Sequence, residues 1–337
     1  MAYLQVISYY YPERCLTNDE LTLLHPEWSA DKIALKTGIN KRYLSAEYET
    51  AVDMAEKVAN RLFEEYAIDK SMIDFVILCT QSPDYFLPTS ACILQDRLGL
   101  QDGCGAFDFN MGCSGFVYGL GLAKGLVASN QAKNVLLITS ETYTKYLHPE
   151  DKSCQTIFGD AAAASLISAE KYTWGLNAEI LTPIYKTIGS QHQDLIVKNG
   201  AARNPKKNNK VILNEDGTFH SAFDYLYMDG KSIFDFSAQI VPQVVAQTLM
   251  INNFKKDDID WYVFHQANKF MLNFARMRCE IPQEKFIIDI ADGGNTVSST
   301  IPIAIKRMVS EIKPKDRLLL CGFGVGLSVA GVVLQIN

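Results

Sequence analysis

Short apolar runs alternate with stretches of helical periodicity along most of the chain. Residues 71–80 (SMIDFVILCT) and 132–140 (AKNVLLITS) are apolar runs of strand length. Between them, residues 88–100 (PTSACILQDRLGL) have the periodicity of a helix that packs on one face. Alternating strands and helices predict an α/β protein.

The two halves of the chain repeat the same order of patterns. Ile73-Asp74-Phe75 and Ile259-Asp260-Trp261 each open a strand-like run. Each run is followed by a strand, a turn of small residues and an apolar helix, and then by another strand-like run. Three such pairs, roughly 180 to 186 residues apart, occur in the same order. They are residues 71–80 with 257–264, 106–129 with 286–305, and 133–141 with 316–324.

This repeat predicts two copies of one βαβαβ-type unit. We expect residues 1–170 to form an N-terminal half and residues 171–337 to form a C-terminal half. The chain of 337 residues is long enough for two domains, or for one large domain built from two halves.

Both predicted helices that follow the small-residue turns are apolar on all sides. Residues 114–129 carry one charge, Lys124, and residues 296–305 carry none. A helix without a polar face is buried all round, so we place both in the middle layer of a layered fold. Glycines four residues apart predict that the first helix packs closely against the second. These glycines are Gly115, Gly119, Gly121 and Gly125.

The composition is that of an ordinary globular protein, with 48% hydrophobic and 21% charged residues. A net charge of −6 gives no global sign of nucleic-acid or membrane binding. No run reaches the roughly 18 to 20 apolar residues that span a bilayer, and the first twenty residues do not resemble an export signal. Eight cysteines without a C-x-x-C pair favour free thiols and a cytoplasmic location over disulfides or a structural zinc site.

Residues 186–232 interrupt the repeated pattern. Within them, residues 203–210 (RNPKKNNK) are basic and rich in turn-forming residues, without apolar periodicity. Such a segment is usually a solvated surface loop, and the alternative is a docking patch for an acidic partner.

Three residues with useful chemistry stand where a predicted strand passes into a helix. Cys113 lies between two glycines in FNMGCSGFVYG, His265 follows DWYVF, and Asn295 follows ADGG. A free cysteine is most often buried packing, and a lone histidine is more often structural. The carboxyl ends of strands are nevertheless where α/β sheets bind ligands, and equivalent ends of a duplicated fold can converge. A cysteine at a helix N-terminus is also biased towards the thiolate, which attacks thioesters without a fixed base.

The C-terminal run LLLCGFGVGLSVAGVVLQI contains a glycine turn between two strand-like segments. Exposed amides around Gly322, Gly324 and Gly326 would complete an oxyanion hole with the N–H of Cys113, and a plain glycine hairpin is the alternative. Cys321 lies within the first segment, so we expect a strand residue. Asp160, in TIFGDAAAASLI, is expected to accept hydrogen bonds in a turn.

Six segments carry a resemblance to a known family. They are TGINKRYL, SPDYFLPTSACILQDRLG, GCSGFVYGL, IFGDAAAA, FHQAN and GGNTVSSTIPIAI. Together they resemble β-ketoacyl-acyl carrier protein synthase III, a family of condensing enzymes with the thiolase fold. The resemblance extends from about Trp28 to Leu334 and weakens mainly over residues 186–225. It implies an α/β thiolase-like fold with duplicated βαβαβ-type halves in five layers (α-β-α-β-α).

The resemblance implies a role for each of the three residues. Cys113 would carry an acyl primer as a thioester. A neutral His265, through Nε2–H, and the amide of Asn295 would bind the carbonyl oxygen of a malonyl thioester and stabilise the enolate formed as CO₂ leaves. This carbanion would attack the acyl-cysteine. A second oxyanion would be held by the main-chain amides of Cys113, Gly324, Val325 and Gly326.

The implied coenzyme A site departs from the family at two positions. Lys152 stands where the family stacks an arginine on the adenine, opposite Trp28, and Lys36 replaces a second arginine. Lysine does not stack as a planar guanidinium does, so we expect weaker or altered coenzyme A binding.

Two further departures concern the carrier protein and the primer. Phe270, beside Lys269, replaces the arginine that docks acyl carrier protein in the family. Leu87 replaces an aromatic side chain that reaches into the neighbouring subunit's acyl pocket, which favours a longer primer. Gly230 and Asn268 complete the implied substrate-binding set.

The resemblance therefore implies an acyltransferase that condenses an acyl-cysteine with malonyl-acyl carrier protein or malonyl-coenzyme A, in fatty-acid or related biosynthesis. It implies a homodimer that uses coenzyme A thioesters and acyl carrier protein, with no permanently bound cofactor. The alternatives are acyl transfer or acyl–acyl condensation without decarboxylation, a Cys-His-Asn thiol hydrolase, and a non-catalytic scaffold. An ordinary thiolase is disfavoured because its second catalytic cysteine would fall at Gly322.

Overall fold

The computed structural model describes residues 1–208 and 210–337. The β-strands are β1 (Tyr3–Tyr10), β2 (Arg14–Thr17), β3 (Lys41–Leu44), β4 (Phe75–Cys79), β5 (Gly105–Phe109), β6 (Asn134–Glu141), β7 (Ala161–Ser168), β8 (Ala178–Ile180), β9 (Ile184–Thr187), β10 (Leu195–Val197), β11 (Val211–Leu213), β12 (Phe219–Ala222), β13 (Leu226–Met228), β14 (Trp261–Phe264), β15 (Arg317–Gly324) and β16 (Ser328–Ile336). The α-helices are α1 (Asn18–Leu24), α2 (Ala30–Thr37), α3 (Ala51–Glu65), α4 (Ser90–Arg97), α5 (Gly115–Ala128), α6 (Lys152–Gln155), α7 (Gly230–Ile251), α8 (Lys269–Arg278) and α9 (Thr300–Arg307).

Ten strands of the described chain form one sheet, in the order β5-β4-β6-β7-β1-β8-β16-β15-β14, with β9 also paired to β16. In the N-terminal part, β4 is parallel to β5 and β6, and β7 is antiparallel to both β6 and β1. In the C-terminal part, β14 is parallel to β15, and β16 is antiparallel to both β15 and β8. A short antiparallel contact between β1 and β8 joins the two parts.

Both parts have the same strand order, with β1, β4, β6 and β7 matching β8, β14, β15 and β16. An aspartate tethers the corresponding strands in each part. Asp74 accepts the N–H of Asn134 at 2.8 Å, and Asp260 accepts the N–H of Arg317 at 2.9 Å. The predicted division at residue 170 falls between β7 and β8, and it stays a prediction.

The strand predicted near residues 286–290 does not form. Only Phe286 makes a bridge there, to Tyr262 of β14. The side chain of Gln266 takes over hydrogen bonds that a neighbouring strand would make, because its Oε1 accepts the N–H of Asp289 at 2.7 Å and its Nε2 donates to the carbonyl of Ile287 at 3.3 Å. This expectation from the apolar pattern was wrong.

The elements stack in five layers, as the thiolase-like prediction requires. Helices α3 and α4 cover the outer face of the N-terminal strands, and α7 and α8 cover the outer face of the C-terminal strands. Helices α5 and α9 contribute to the apolar cluster between the two sets of strands. The α-β-α-β-α order is therefore confirmed.

The glycines of α5 allow close packing against strands, and α5 shares one apolar cluster with α9, the second central helix. That the glycines bring these two helices into close contact stays a prediction. A Cβ at Gly119 would lie 2.6 Å from a methyl group of Leu137 in β6, and one at Gly115 would lie 2.3 Å from the sulfur of Cys79 in β4. Gly125 faces open space. A helix held between two sheets needs small residues on the faces that meet the strands.

The interrupting segment forms β9 to β13 and short connections. Residues 201–208 and Lys210 are exposed, as expected of a solvated loop, and Asn209 lies outside the described residues. Among the described residues, none of the helices is both long and apolar enough to cross a membrane.

Candidate active site

Cys113 lies at the turn between β5 and the start of α5, and it is buried. Strand β15 passes directly over this turn. A Cβ at Gly322 would lie 2.8 Å from the carbonyl oxygen of Cys113, and one at Gly324 would lie 3.0 Å from its sulfur. Side chains at these positions would push the strand away, so the glycines allow β15 to contact the turn around Cys113. We call residues 110–114 the nucleophile turn.

Two main-chain N–H groups lie near the thiol, those of Cys113 and Val325. They favour the thiolate, but burial has the larger effect and raises the pKa of Cys113 to about 12. In the resting site the loss of solvent therefore opposes the expected bias towards a thiolate, and the effect of the helix terminus stays a prediction. Main-chain amides are also the type of donor that stabilises the oxyanion formed on a carbonyl oxygen when a thiol adds to a thioester.

His265 follows β14 and is buried beside β15. Its main-chain N–H donates to the carbonyl of Cys321 at 2.8 Å. Its imidazole ring packs against the ring of Phe323 in a T-shaped arrangement, with the ring centroids 5.5 Å apart. Burial lowers the pKa of His265 to about 3, although the main chain of Val297 opposes this effect. The imidazole is therefore neutral at neutral pH.

Thr300 is the side-chain partner of this imidazole. Nδ1 of His265 lies 2.8 Å from Oγ1 of Thr300, which also lies 3.1 Å from the carbonyl of Val297. When the hydroxyl donates to the carbonyl of Val297, its oxygen accepts a hydrogen bond from Nδ1–H, and Nε2 then carries the lone pair. When the hydroxyl rotates to donate to Nδ1, Nε2 carries the proton. Thr300 thus supports both neutral tautomers.

Main-chain hydrogen bonds hold Asn295 through both its N–H and its carbonyl group. Its N–H donates to the carbonyl of Ile157 at 2.9 Å, and its carbonyl accepts the N–H of Gly159 at 3.0 Å. The N–H of Val297 donates to Oδ1 of Asn295 at 2.9 Å, which orients the amide with NH₂ as its donor end. Since Val297 also contacts His265, one short turn positions both side chains.

The structure thus brings Cys113 and His265 to the end of β15, and Asn295 is linked to His265 through Val297. Cys113 lies against Gly322 and Gly324, and His265 follows the residue that pairs with Cys321 on the adjacent strand. The site combines a buried thiol, two amides close to its sulfur, and two neutral side chains with polar groups. In a buried site such groups stabilise a developing negative charge better than they would in water.

A groove of about 620 Å³ lies beside this site. Its lining includes four residues of the predicted substrate-binding set, namely Trp28, Lys36, Asn268 and Phe270. Nζ of Lys36 lies 5.5 Å from the centroid of the Trp28 ring. Ile157 lines the groove, and its carbonyl accepts the N–H of Asn295, so the groove adjoins the turn that carries Asn295.

The other three predicted binding residues lie elsewhere. Lys152 forms an ion pair with Glu27, next to Trp28. Gly230 begins α7 and is exposed, and Leu87 is 86% exposed on a surface loop. The structure of one chain does not bring Gly230 or Leu87 into the groove.

The structural roles expected of two further residues are confirmed. Cys321 is fully buried within β15. Asp160 accepts hydrogen bonds from the main-chain and side-chain donors of Ser45 and Thr144.

Sequence reasoning missed Thr300 and Glu141, which is buried near Cys113. A charged residue at the end of the apolar run KNVLLITSE was a usable signal for Glu141. Nothing in the pattern distinguished Thr300 from other small polar residues of its helix.

Comparisons with known proteins agree with this arrangement. Two family models match, 3-oxoacyl-[acyl-carrier-protein (ACP)] synthase III over residues 107–182 and its C-terminal model over residues 249–336. A β-ketoacyl-[acyl-carrier-protein] synthase III of Clostridium perfringens is 32% identical over 329 residues, which are 97% of each chain.

Solved structures show the same likeness. A crystal structure of a 3-oxoacyl-(acyl-carrier-protein) synthase III has a TM-score of 0.95 and 44% sequence identity, and the match covers 99% of both chains. OleA of Xanthomonas campestris, with a TM-score of 0.80, 17% identity and 99% and 98% coverage of the two chains, shares the fold. On the evidence of its sequence relatives, its fold and its site, this chain belongs to the β-ketoacyl-acyl carrier protein synthase III family of condensing acyltransferases.

Proposed function

We propose that Cys113 accepts an acyl group from a thioester and that the acyl-cysteine then condenses, with loss of CO₂, with a malonyl thioester to give a β-ketoacyl thioester. The observation that carries these roles is that the Cys113 thiol lies beside two main-chain N–H groups, while His265 lies next to β15 and is linked to Asn295 through Val297. A site with this arrangement serves both a tetrahedral intermediate and an enolate.

The first half-reaction is a thiol–thioester exchange. The sulfur of Cys113 attacks the thioester carbonyl, and the N–H groups of Cys113 and Val325 stabilise the oxyanion. Gly324 gives the sulfur room, and Gly326 continues the turn. The departing thiol takes up one proton for each proton that Cys113 loses, so the exchange is balanced without a permanent base.

The second half-reaction uses neutral donors. As the carboxylate of the malonyl group leaves as CO₂, its bonding electrons form an enolate, whose oxygen accepts from the amide of Asn295 and from Nε2–H of His265. This tautomer requires the hydroxyl of Thr300, whose oxygen lies 2.8 Å from Nδ1, to donate to Nδ1. The enolate carbon attacks the acyl carbonyl, and the sulfur of Cys113 leaves and is protonated again.

The groove supports a coenzyme A thioester as acyl donor. Its lining combines an aromatic ring, Trp28, with the ammonium group of Lys36 over that ring, and the ammonium group of Lys32 lies over the same ring. These groups suit the adenine and phosphates of coenzyme A, whereas Lys152 is already paired with Glu27. We therefore propose weaker nucleotide binding than two arginines would give.

The partners and location are part of the proposal. Relatives are named for acyl carrier protein, and we propose it as the malonyl carrier here, with Phe270 in place of a docking arginine. All eight cysteines are free thiols, which supports a reducing cytoplasm. A homodimer is supported by an exposed apolar loop around Leu87.

Intact-mass analysis tests the acyl-enzyme. The protein is incubated with acyl-coenzyme A thioesters of increasing length, and peptide mapping then locates the acyl group. We expect one adduct on Cys113 and none in Cys113→Ala. Cys321→Ala is the matched control, because this buried strand cysteine is expected to leave the adduct unchanged.

Adding malonyl thioester to the acylated protein tests the condensation. We expect CO₂ and a β-ketoacyl product in equal amounts. A lack of any adduct on Cys113 would overturn the proposal. Free acid without condensation would favour a thiol hydrolase, and a condensed product without CO₂ would favour acyl–acyl condensation.

A further inference from the structure

One buried carboxyl near the site has no part in the reaction described above. Glu141 is the last residue of β6 and is fully buried. No basic side chain forms an ion pair with it among the described residues. Burying an ionised carboxyl without a neighbouring cation costs free energy, so a carboxyl in this position is stable only if other groups bind it or if it is protonated.

Neutral donors surround this carboxyl. The N–H of Gln81 lies 3.2 Å from Oε1 and 3.0 Å from Oε2. The hydroxyl of Ser82 donates to Oε2 at 3.2 Å, and the hydroxyl of Ser298 donates to Oε1 at 3.2 Å. The carboxyl therefore joins the end of β4 to the short turn that precedes α9.

One of these donors belongs to the turn that carries Asn295, and another lies against the turn that carries Cys113. Ser298 follows Val297, the residue that orients Asn295 and contacts His265. On the other side, the amide oxygen of Gln81 is packed so closely against Gly112 that a Cβ there would lie 2.6 Å away. Gly112 precedes Cys113, so Glu141 lies between the nucleophile turn and the Asn295 turn.

The charge of Glu141 also reaches the nucleophile. Ionisable groups that face it from the surrounding elements are Cys79, Cys113, Tyr143, Tyr146 and Asp160. Burial, with a smaller effect from Asp160, raises the pKa of Glu141 to about 8. The ionised carboxylate raises the pKa of Cys113, whereas the protonated acid has no such effect.

We propose that Glu141 is a positioning residue that ties the Asn295 turn to the nucleophile turn and that acts on Cys113 through the presence or absence of its proton. The proposal rests on the proposed function for the identity of the nucleophile and of the enolate donor. The protonated acid keeps all three donor groups in place without placing a negative charge beside the thiol. Ionisation of the carboxyl then slows thiolate formation.

Alkylation of Cys113 tests the effect of charge without any substrate. The rate of reaction with iodoacetamide is followed from pH 6.5 to 9.5 by the mass of the Cys113 peptide, in the wild type and in Glu141→Gln. The amide has the shape of the protonated acid. We expect the two rates to agree below about pH 8, and the variant to be faster by about threefold or more at the highest pH.

Glu65→Gln is the control, because Glu65 is a carboxyl outside the site that bonds Ser8 and Lys306. It is expected to follow the wild type at every pH. Parallel wild-type and Glu141→Gln profiles across the whole range would overturn the effect of charge, since a purely structural role does not change the pH dependence.

Ser298→Ala removes the hydrogen bond between Ser298 and Glu141 without changing a charge, and so it tests the positioning role of Glu141. We expect CO₂ release from a malonyl thioester to fall by about three- to tenfold, while acylation of Cys113 stays within about twofold of the wild type. Unchanged CO₂ release would overturn the proposal that Glu141 positions the turn that carries Asn295. The alkylation profile needs no acyl or malonyl thioester, so it remains readable if the protein proves to catalyse another reaction.

Discussion

At the scale of single residues, the site depends on groups that are neutral before the reaction begins. Burial raises the pKa of Cys113 to about 12 and lowers that of His265 to about 3, so neither is charged near pH 7. A neutral imidazole can donate to an enolate without holding it as a tight ion pair. The dry surroundings that keep these groups neutral also strengthen each hydrogen bond to a charge that forms in the reaction.

Replacing His265 separates the two half-reactions. In His265→Ala, we expect Cys113 still to take up the acyl group, because the oxyanion donors of that step are main-chain amides. CO₂ release is expected to fall by about 10²- to 10³-fold, since the enolate loses one of its two donors. Adduct formation by mass and CO₂ release from a malonyl thioester measure the two steps independently.

His192→Ala serves as the control for this prediction, because it removes an exposed histidine from a surface turn. It is expected to leave both rates unchanged. If His265→Ala abolished adduct formation, the histidine would be the base for the thiol, and the roles assigned here would be wrong.

The proposed catalytic residues were easier to predict than the residues that hold them. Cys113, His265 and Asn295 each stand at the end of a strand-like run, so the pattern marks them one by one. Thr300 and Glu141 act through contacts between distant positions: Thr300 bonds His265 across 35 residues, and Glu141 bonds Ser298 across 157 residues. Such pairs exist only after the two halves have folded together.

At the scale of elements, the repeat in the sequence corresponds to a repeat in hydrogen bonding. Asp74 and Asp260 open equivalent strand-like runs, and each tethers the start of the neighbouring parallel strand. The prediction failed at residues 286–290, where the side chain of Gln266 replaces strand pairing. Apolar periodicity does not reveal a side chain that competes for main-chain donors.

Packing of α5 against the sheet gives a prediction about stability. Gly119→Ala places a Cβ 2.6 Å from a buried methyl group of Leu137, so the strand or the helix has to move. We expect the free energy of unfolding to fall by about 1 to 3 kcal/mol, as is usual for an overpacked core. Thermal denaturation followed by circular dichroism measures the change.

Gly125→Ala is the matched control in the same helix, because a Cβ at Gly125 meets open space. It is expected to raise stability by up to about 1 kcal/mol through helix propensity alone. Equal effects of the two substitutions would show that α5 does not need small residues on the faces that meet the strands.

At the scale of the whole molecule, one edge of the sheet and the loop beside it form an apolar surface. Strand β5 is the last strand at its end of the sheet, and it pairs only with β4 among the described strands. Tyr85, Phe86 and Leu87 on the nearby loop are 62%, 83% and 86% exposed. An open strand edge next to exposed apolar side chains is typical of an interface between copies of a chain.

Leu87→Asp tests this interface by sedimentation velocity. We expect the wild type to sediment as a dimer and the variant to dissociate at least about tenfold more readily, because a second copy of the chain would bury the introduced carboxylate. The variant is expected to keep the thermal stability of the isolated chain, in which residue 87 is already exposed to solvent. Leu23→Asp, at a leucine that is 80% exposed on α1, is the control and should leave the dimer intact. A wild type that stays monomeric at micromolar concentrations would contradict the prediction and would remove Leu87 from the acyl pocket of a partner chain.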